Sequence, residues 1–316
     1  MNEQKYNLAF VFPGQGSQSV GMLSAMAEAF PTVGETFEQA SDALGFDLWK
    51  LVQNGPVEDL NQTNNTQPAM LAAGVAMWRV WCDQTDIKPA WMAGHSLGEY
   101  TALVCSGAMS FEDGVKLVAD RGRLMQEAVP AGVGAMAAII GLENHIVVKV
   151  CSDSAQGEVV SAVNFNAPGQ VVIAGNTAAV ERAMVAAKEA GAKRALPLPV
   201  SVPSHCALME SAAEQLDVKL QSVNIEIPKM TLIHNVDVAS HNASEVIRNA
   251  LKEQLFKPVR WVDGIKYMHD QGVSQFVECG PGKVLMGLNK RIVKGAEHMT
   301  MFDPATLEKV LEQLNG

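Results

Sequence analysis

Ala90-Trp91-Met92-Ala93-Gly94-His95-Ser96-Leu97-Gly98-Glu99-Tyr100-Thr101-Ala102-Leu103-Val104-Cys105 decides the fold. Ala90 to Gly94 reads as a buried strand, and from Leu97 apolar residues recur at helical spacing to about residue 107. Between them stands Gly94-His95-Ser96-Leu97-Gly98, a G-x-S-x-G turn. A serine on so sharp a strand-to-helix turn projects its hydroxyl outward, and the turn needs small neighbours. Gly94 and Gly98 supply that smallness. A helix starting at Leu97 leaves its first backbone N–H groups unpaired beside the serine. One short segment thus offers a nucleophile and half of an oxyanion hole.

Working outward, Leu8 to Phe12 reads as another buried strand, followed by the loop Pro13-Gly14-Gln15-Gly16-Ser17-Gln18. Helical periodicity runs from Met22 to about Gln84, broken near Pro31, Gly45 and Gly55-Pro56. A helix over 111–129 carries Arg121 and Arg123. Strands alternating with helices predict an α/β fold: a parallel sheet covered on both faces. The rhythm changes in the middle. Strands at Ala135–Ile140, Val159–Val163, Val171–Ala174 and Ala195–Leu198 flank helices at Asn144–Ser154 and Ala178–Ala190. That order, βαββαβ, is a ferredoxin-like unit. Expected boundaries are 132–199 for this inserted domain, with 1–131 and 200–316 forming the catalytic domain. Strands return at Thr231–Ile233 and Ser274–Glu278, and Cys279-Gly280-Pro281-Gly282-Lys283 makes a loop into a further helix.

Composition sets the outer limits. The 316 residues are 48% hydrophobic and 18% charged, enough apolar material for a large core. A formal charge of −10 argues against nucleic acid, because phosphate binding needs a basic face. Five cysteines are scattered without C-x-x-C spacing, which reads as reduced thiols and not as a disulfide frame or zinc site. No stretch approaches the ~20 apolar residues of a membrane span. A cytoplasmic chain with no membrane partner is expected.

A serine hydroxyl needs a base, usually histidine. Seven histidines are available. His95 adjoins Ser96, but successive residues on a sharp turn point apart, so it reads as structural or as a substrate contact. His145, His241, His269 and His298 read as surface residues, and His234 could end a strand. His205, in Ser201-Val202-Pro203-Ser204-His205-Cys206, follows the return from the insert and would face an interdomain cleft. Spacing leaves the choice between it and the others open. The loop after the first strand lacks Gly-Lys-Ser/Thr and does not match G-x-G-x-x-G, so it is no phosphate loop. It reads better as the second oxyanion donor, a backbone N–H brought close by flanking glycines.

These motifs together resemble the malonyl-CoA:acyl carrier protein transacylases. The resemblance rests on Phe12-Pro13-Gly14-Gln15-Gly16-Ser17-Gln18, Gly94-His95-Ser96-Leu97-Gly98-Glu99-Tyr100, Asn164-Phe165-Asn166-Ala167-Pro168-Gly169-Gln170, Val202-Pro203-Ser204-His205 and Glu278-Cys279-Gly280-Pro281-Gly282. They run in the family's order over nearly the whole chain. The resemblance implies a hydrolase-like α/β core with a ferredoxin-like insert. It implies that Ser96 is acylated, His205 is base and then acid, and the backbone N–H groups of Gln15 and Leu97 hold the oxyanion. Arg121 would pair with the malonyl carboxylate, with His95 and Asn166 as further substrate contacts. The main-chain carbonyl of Gln254 would orient His205 in place of a triad acid. Arg123 is the rival to Arg121, but two residues along a helix it points elsewhere.

The implied substrates are malonyl-CoA and acyl carrier protein, with no metal or redox cofactor, in fatty acid or polyketide synthesis; a monomer is expected. Acyl carrier proteins of this family are acidic, so an acidic enzyme needs a local basic patch to meet them. Lys283, Lys290, Arg291 and Lys294 on the helix after Gly282, or Lys188, Lys193 and Arg194, are the candidates. Two other readings share the serine turn: a serine hydrolase, and a carrier-protein docking module that no longer catalyses. The first does not explain the insert or the arginine; failure of Ser96 to acylate would mark the second.

Overall fold

The computed structural model describes residues 4–130, 132–200 and 202–315. Ala131 and Ser201, beside the two expected junctions, lie outside the described residues, as do Met1–Glu3 and Gly316. The chain opens with β1 (Gln4–Phe12), then α1 (Ser24–Ala29), α2 (Pro31–Leu44), α3 (Leu48–Asn54), α4 (Val57–Leu60) and α5 (Thr63–Gln84). β2 (Lys88–Gly94) feeds α6 (Leu97–Cys105) and α7 (Phe111–Ala128). The middle holds β3 (Gly134–Ile140), α8 (Asn144–Ser154), β4 (Val160–Ala167), β5 (Gln170–Asn176), α9 (Thr177–Glu189) and β6 (Arg194–Pro197). The return runs through α10 (Glu210–Ser222), β7 (Thr231–Ile233), α11 (Ser244–Gln254), α12 (Trp261–Asp270), β8 (Gln275–Cys279), α13 (Val284–Ile292), β9 (Glu297–Met301) and α14 (Pro304–Asn315).

Two sheets result. The larger has the order β7-β2-β1-β8-β9, and every neighbouring pair is parallel. Parallel strands carry helices on both faces, so their own residues are apolar on both sides. Leu8, Phe10 and Phe12 pack with α5 and α6 on one face, while Ala9 and Val11 pack with α12 and α13 on the other. α5 is buried nearly all round, which its weak amphipathicity requires. The smaller sheet is antiparallel with order β4-β5-β3-β6, the arrangement of a βαββαβ ferredoxin-like unit. It has its own core of Ile139, Val171, Ile173 and Ala183.

Three details differ from the reading of the sequence. β4 runs on through Asn164-Phe165-Asn166-Ala167, past the expected end at Val163. The polar residues there hide the strand, because they face the cleft instead of a core. His298 is not a surface loop residue; it sits in β9 and stacks on Phe276, with ring centroids 5.4 Å apart. Lys294 lies past the end of α13, where Val293 turns extended (φ −127°), so it does not share a helix face with Lys283 and Lys290.

The serine turn depends on two close approaches. A Cβ on Gly98 would stand 2.1 Å from the carbonyl oxygen of Phe12, and one on Gly94 would stand 1.8 Å from the carbonyl carbon of Gly98. Gly287, in the exposed middle of α13, has open space around its missing Cβ. Gly98→Ala is therefore expected to lower stability by about 1–3 kcal/mol or more through overpacking. Gly287→Ala should raise it by about 0.5–1 kcal/mol through helix propensity. Paired thermal melts check this contrast; equal melting temperatures would remove the steric argument for the turn.

Candidate active site

β2 delivers Gly94 to the sheet's C-terminal edge, and α6 leaves at once from Leu97. Ser96 between them has φ 51° and ψ −108°, a conformation that costs energy for any residue with a side chain. Surrounding hydrogen bonds pay that cost. The Ser96 N–H donates to Asn235 Oδ1 at 2.8 Å, and Asn235 Nδ2 donates to the Gly94 carbonyl at 2.7 Å. Asn235 thus pins the turn from the loop after β7.

His205 reaches the serine from the segment that follows the small sheet. Its Nε2 lies 2.8 Å from Ser96 Oγ, and its Nδ1 lies 2.5 Å from the main-chain carbonyl of Gln254. A carbonyl can only accept, so Nδ1 carries the hydrogen and Nε2 is left as acceptor for the serine O–H. His205 also has positive φ (66°), held by its N–H bonding to the Leu255 carbonyl at 2.8 Å. Its ring is buried, which together with the Arg121 charge depresses its pKa to about 3. The imidazole is neutral at pH 7 and competent to take a proton.

Arg121 comes from α7 and is 1% exposed. Its Nη2 donates to Gln254 Oε1 at 2.9 Å and, at 3.3 Å, to Ser96 Oγ. Nε is buried and unpaired. No carboxylate forms an ion pair with it among the described residues, although burial lowers its pKa. Arg123, by contrast, is half exposed and bonded to Asp120 and Glu127. Its guanidinium is therefore already taken up by two acids.

The remaining residues read from the sequence fall into place around these. Gln15 and Leu97 line the cavity, and neither backbone N–H has a partner within the described residues. Gly280 (φ 144°) packs under Pro13: a Cβ there would meet the proline ring at 3.0 Å, so the loop after β8 supports the Gln15 loop. His95 lines the cavity, with Nε2 2.7 Å from Asn166 Oδ1. Asn166 itself stands behind His95; Asn164 lines the wall, its Oδ1 buried and unpaired. The cavity, of about 110 Å³, is closed by Gln67, Met125, Met136, Leu198 and Val200. Motif reading does not reach Asn235, Gln67 or Asn164's place in the wall; the run of polar residues through β4 is the available signal for Asn164.

Comparison with known proteins fits this geometry to a family. The acyl transferase domain model matches residues 9–305. The chain is 57% identical over 305 residues to the malonyl CoA-acyl carrier protein transacylase of Salmonella typhimurium, covering 96% of this chain and 99% of that one. The corresponding protein of Haemophilus influenzae is 58% identical over 307 residues, with 97% and 98% covered. The crystal structure of an acyl carrier protein S-malonyltransferase from Vibrio cholerae superposes with a TM-score of 0.94 at 59% identity, covering 96% and 99%. The chain belongs to the malonyl CoA-acyl carrier protein transacylase family. A further solved transacylase of this family, in complex with its type II PKS acyl-carrier protein, superposes with a TM-score of 0.96 at 56% identity, covering 97% and 99%.

In a transacylase built this way the base should work far below the ordinary histidine range. The folded pKa of His205 lies below its unfolded value of 6.5. The buried neutral ring therefore contributes stability that is complete above pH 6.5 and drains away as pH falls toward 3. Over the same window the base stays active while the fold holds. Single-turnover acylation by malonyl-CoA should keep its plateau down to about pH 5. An inflection near pH 6.5 in rapid-quench data would show that His205 is not held neutral by burial.

Proposed function

We propose that this chain moves malonyl from coenzyme A to acyl carrier protein through an ester on Ser96, by two half-reactions sharing one base. Ser96 Oγ attacks the thioester carbonyl while His205 Nε2 takes its proton. The tetrahedral oxyanion is held by the N–H groups of Gln15 and Leu97. Collapse breaks the C–S bond, and His205 returns the proton to the leaving coenzyme A thiolate. The pantetheine thiol of acyl carrier protein then repeats the sequence, giving its proton to His205, taking the malonyl group and restoring Ser96. The product would supply fatty acid synthesis in the cytoplasm; among the described residues no helix is long and apolar enough to cross a membrane.

One observation carries the acyl choice: the buried guanidinium of Arg121 has no acid partner among the described residues and lines the cavity beside Ser96. Malonyl differs from acetyl by one carboxylate, and a planar guanidinium accommodates it through two charge-assisted bonds. Residues 132–199 act as the far wall, contributing Met136, Asn164 and Leu198 to the cavity. His95 contacts the substrate, and Asn166 orients His95.

The docking patch is narrower than the sequence suggested. Arg291 is taken up by the β4–β5 turn, bonding Gln170 Oε1 and the Pro168 carbonyl. Lys283 and Lys290 remain exposed at the two ends of α13 and suit an acidic carrier.

Intact mass after mixing with malonyl-CoA should show one added malonyl on the wild type and none on Ser96→Ala. Arg121→Ala should slow malonyl transfer ~30-fold or more while acetyl transfer holds or improves, since losing one partner of a desolvated charge pair costs about 2–5 kcal/mol. An unchanged malonyl/acetyl ratio would sink the carboxylate assignment. Lys290→Glu should raise the KM for acyl carrier protein several-fold at low salt and leave acylation by malonyl-CoA unchanged. Equal carrier kinetics in both proteins would place docking elsewhere.

A further inference from the structure

A second buried charge lies behind Arg121, and the reaction as derived does not use it. Glu99, in the first turn of α6, is 0% exposed and pairs with no lysine or arginine among the described residues. Its carboxylate accepts three hydrogen bonds. His234 Nδ1 donates at 2.7 Å to Oε1; the Asn235 N–H at 3.0 Å and Gln254 Nε2 at 2.8 Å both donate to Oε2. Two of the three donors come from the loop after β7, which fixes the carboxylate from behind.

The carboxamide of Gln254 spans the gap between Glu99 and Arg121. Oε1 accepts from Arg121 Nη2, and Nε2 donates to Glu99 and to the Ser96 carbonyl at 2.9 Å. Only this orientation works. Reversed, the amide would turn N–H groups toward a cation and its oxygen toward a carboxylate and a carbonyl. Cation and anion are therefore held one amide apart. Direct contact would occupy the guanidinium; separation leaves Nε unpaired in the buried site.

We propose that Glu99 is a positioning residue for acyl selectivity, which acts through the Gln254 carboxamide to hold Arg121 open to a carboxylate ligand. This rests on the reading of Arg121 given above. A hydrogen-bonded chain of this kind is coupled, so removing one end should be felt at the other.

The test compares malonyl and acetyl transfer in five variants. Glu99→Leu keeps bulk and removes both acceptor oxygens. It should lower the malonyl/acetyl kcat/KM ratio ~10-fold or more, mainly through KM for malonyl-CoA. Glu99→Gln should restore most of the ratio, because its oxygen can serve Gln254 while His234 changes tautomer. In an Arg121→Ala background, Glu99→Leu should leave the ratio where Arg121→Ala alone puts it. If Glu99→Leu does not fold, Gln254→Met reads the same relay, since it retains the main-chain carbonyl that bonds His205 and removes the side-chain links to Glu99, Arg121 and the Ser96 carbonyl. A ratio unchanged in Glu99→Leu or Gln254→Met, with Arg121→Ala still shifting it, overturns the role of Glu99 alone. A ratio unchanged in Arg121→Ala overturns the carboxylate site itself. Additive effects in the double variant would assign Glu99 to general stability.

Discussion

The bond from His205 Nδ1–H to the Gln254 carbonyl is the constraint on which the site depends. A main-chain acceptor at 2.5 Å sets the tautomer without adding a charge. A carboxylate in that place would stabilise the imidazolium and raise the pKa of the ring. The carbonyl leaves burial and Arg121 to dominate, and the ring stays neutral. The bond also joins distant parts of the chain, because Gln254 ends α11 and His205 follows the small sheet.

Gln254 is therefore used twice. Its backbone orients the base, and its side chain separates two buried charged groups of the site, Arg121 and Glu99. A single displacement of the end of α11 would disturb proton transfer and acyl recognition together. The register of this helix is held by apolar contacts, with Ile247, Leu251 and Leu255 fully buried in the main core. Packing energy far from the serine is thus what maintains its geometry.

Legibility in the sequence follows from how local each feature is. The serine turn, the strands of the parallel sheet and the βαββαβ unit announce themselves because period and punctuation are local signals. Ser96, His205, Arg121, Gln15, Leu97 and Gln254 stand together in space; motif reading gives the serine, the Leu97 N–H and the Gln15 loop and leaves His205 one candidate among several, while Arg121 and Gln254 come only from the family resemblance. Glu99 is invisible for a physical reason. An acid in the first turn of a helix ordinarily favours the helix dipole and faces water, and nothing nearby in sequence signals its burial beneath Gln254. Asn235 is hidden likewise, as its side chain and its N–H bond to residues far back in the chain. Lys294 misled in the opposite sense: the basic spacing continues past Val293 although the helix does not.

The small antiparallel sheet completes the electrostatics. Met136, Leu198 and Val200 line the cavity together with Met125 and Val202, so the charged and titrating groups meet a largely apolar lining. Low polarity acts on them in one direction and with different consequences. It penalises the charged form of His205, whose ordinary pKa of 6.5 lies so close to neutrality that the shift decides its state. It penalises the charged form of Arg121 too, but a guanidinium starts so far above neutrality that a lowered arginine remains a cation at pH 7. The same walls strengthen every interaction of that cation with an incoming carboxylate. One cavity thus holds a neutral base and a charged anchor that lies 3.3 Å from the same serine oxygen. A more polar wall would weaken the anchor and return the base toward its ordinary range. The insert is accordingly part of the catalytic chemistry, although no side chain from it bonds to Ser96 or His205 among the described residues.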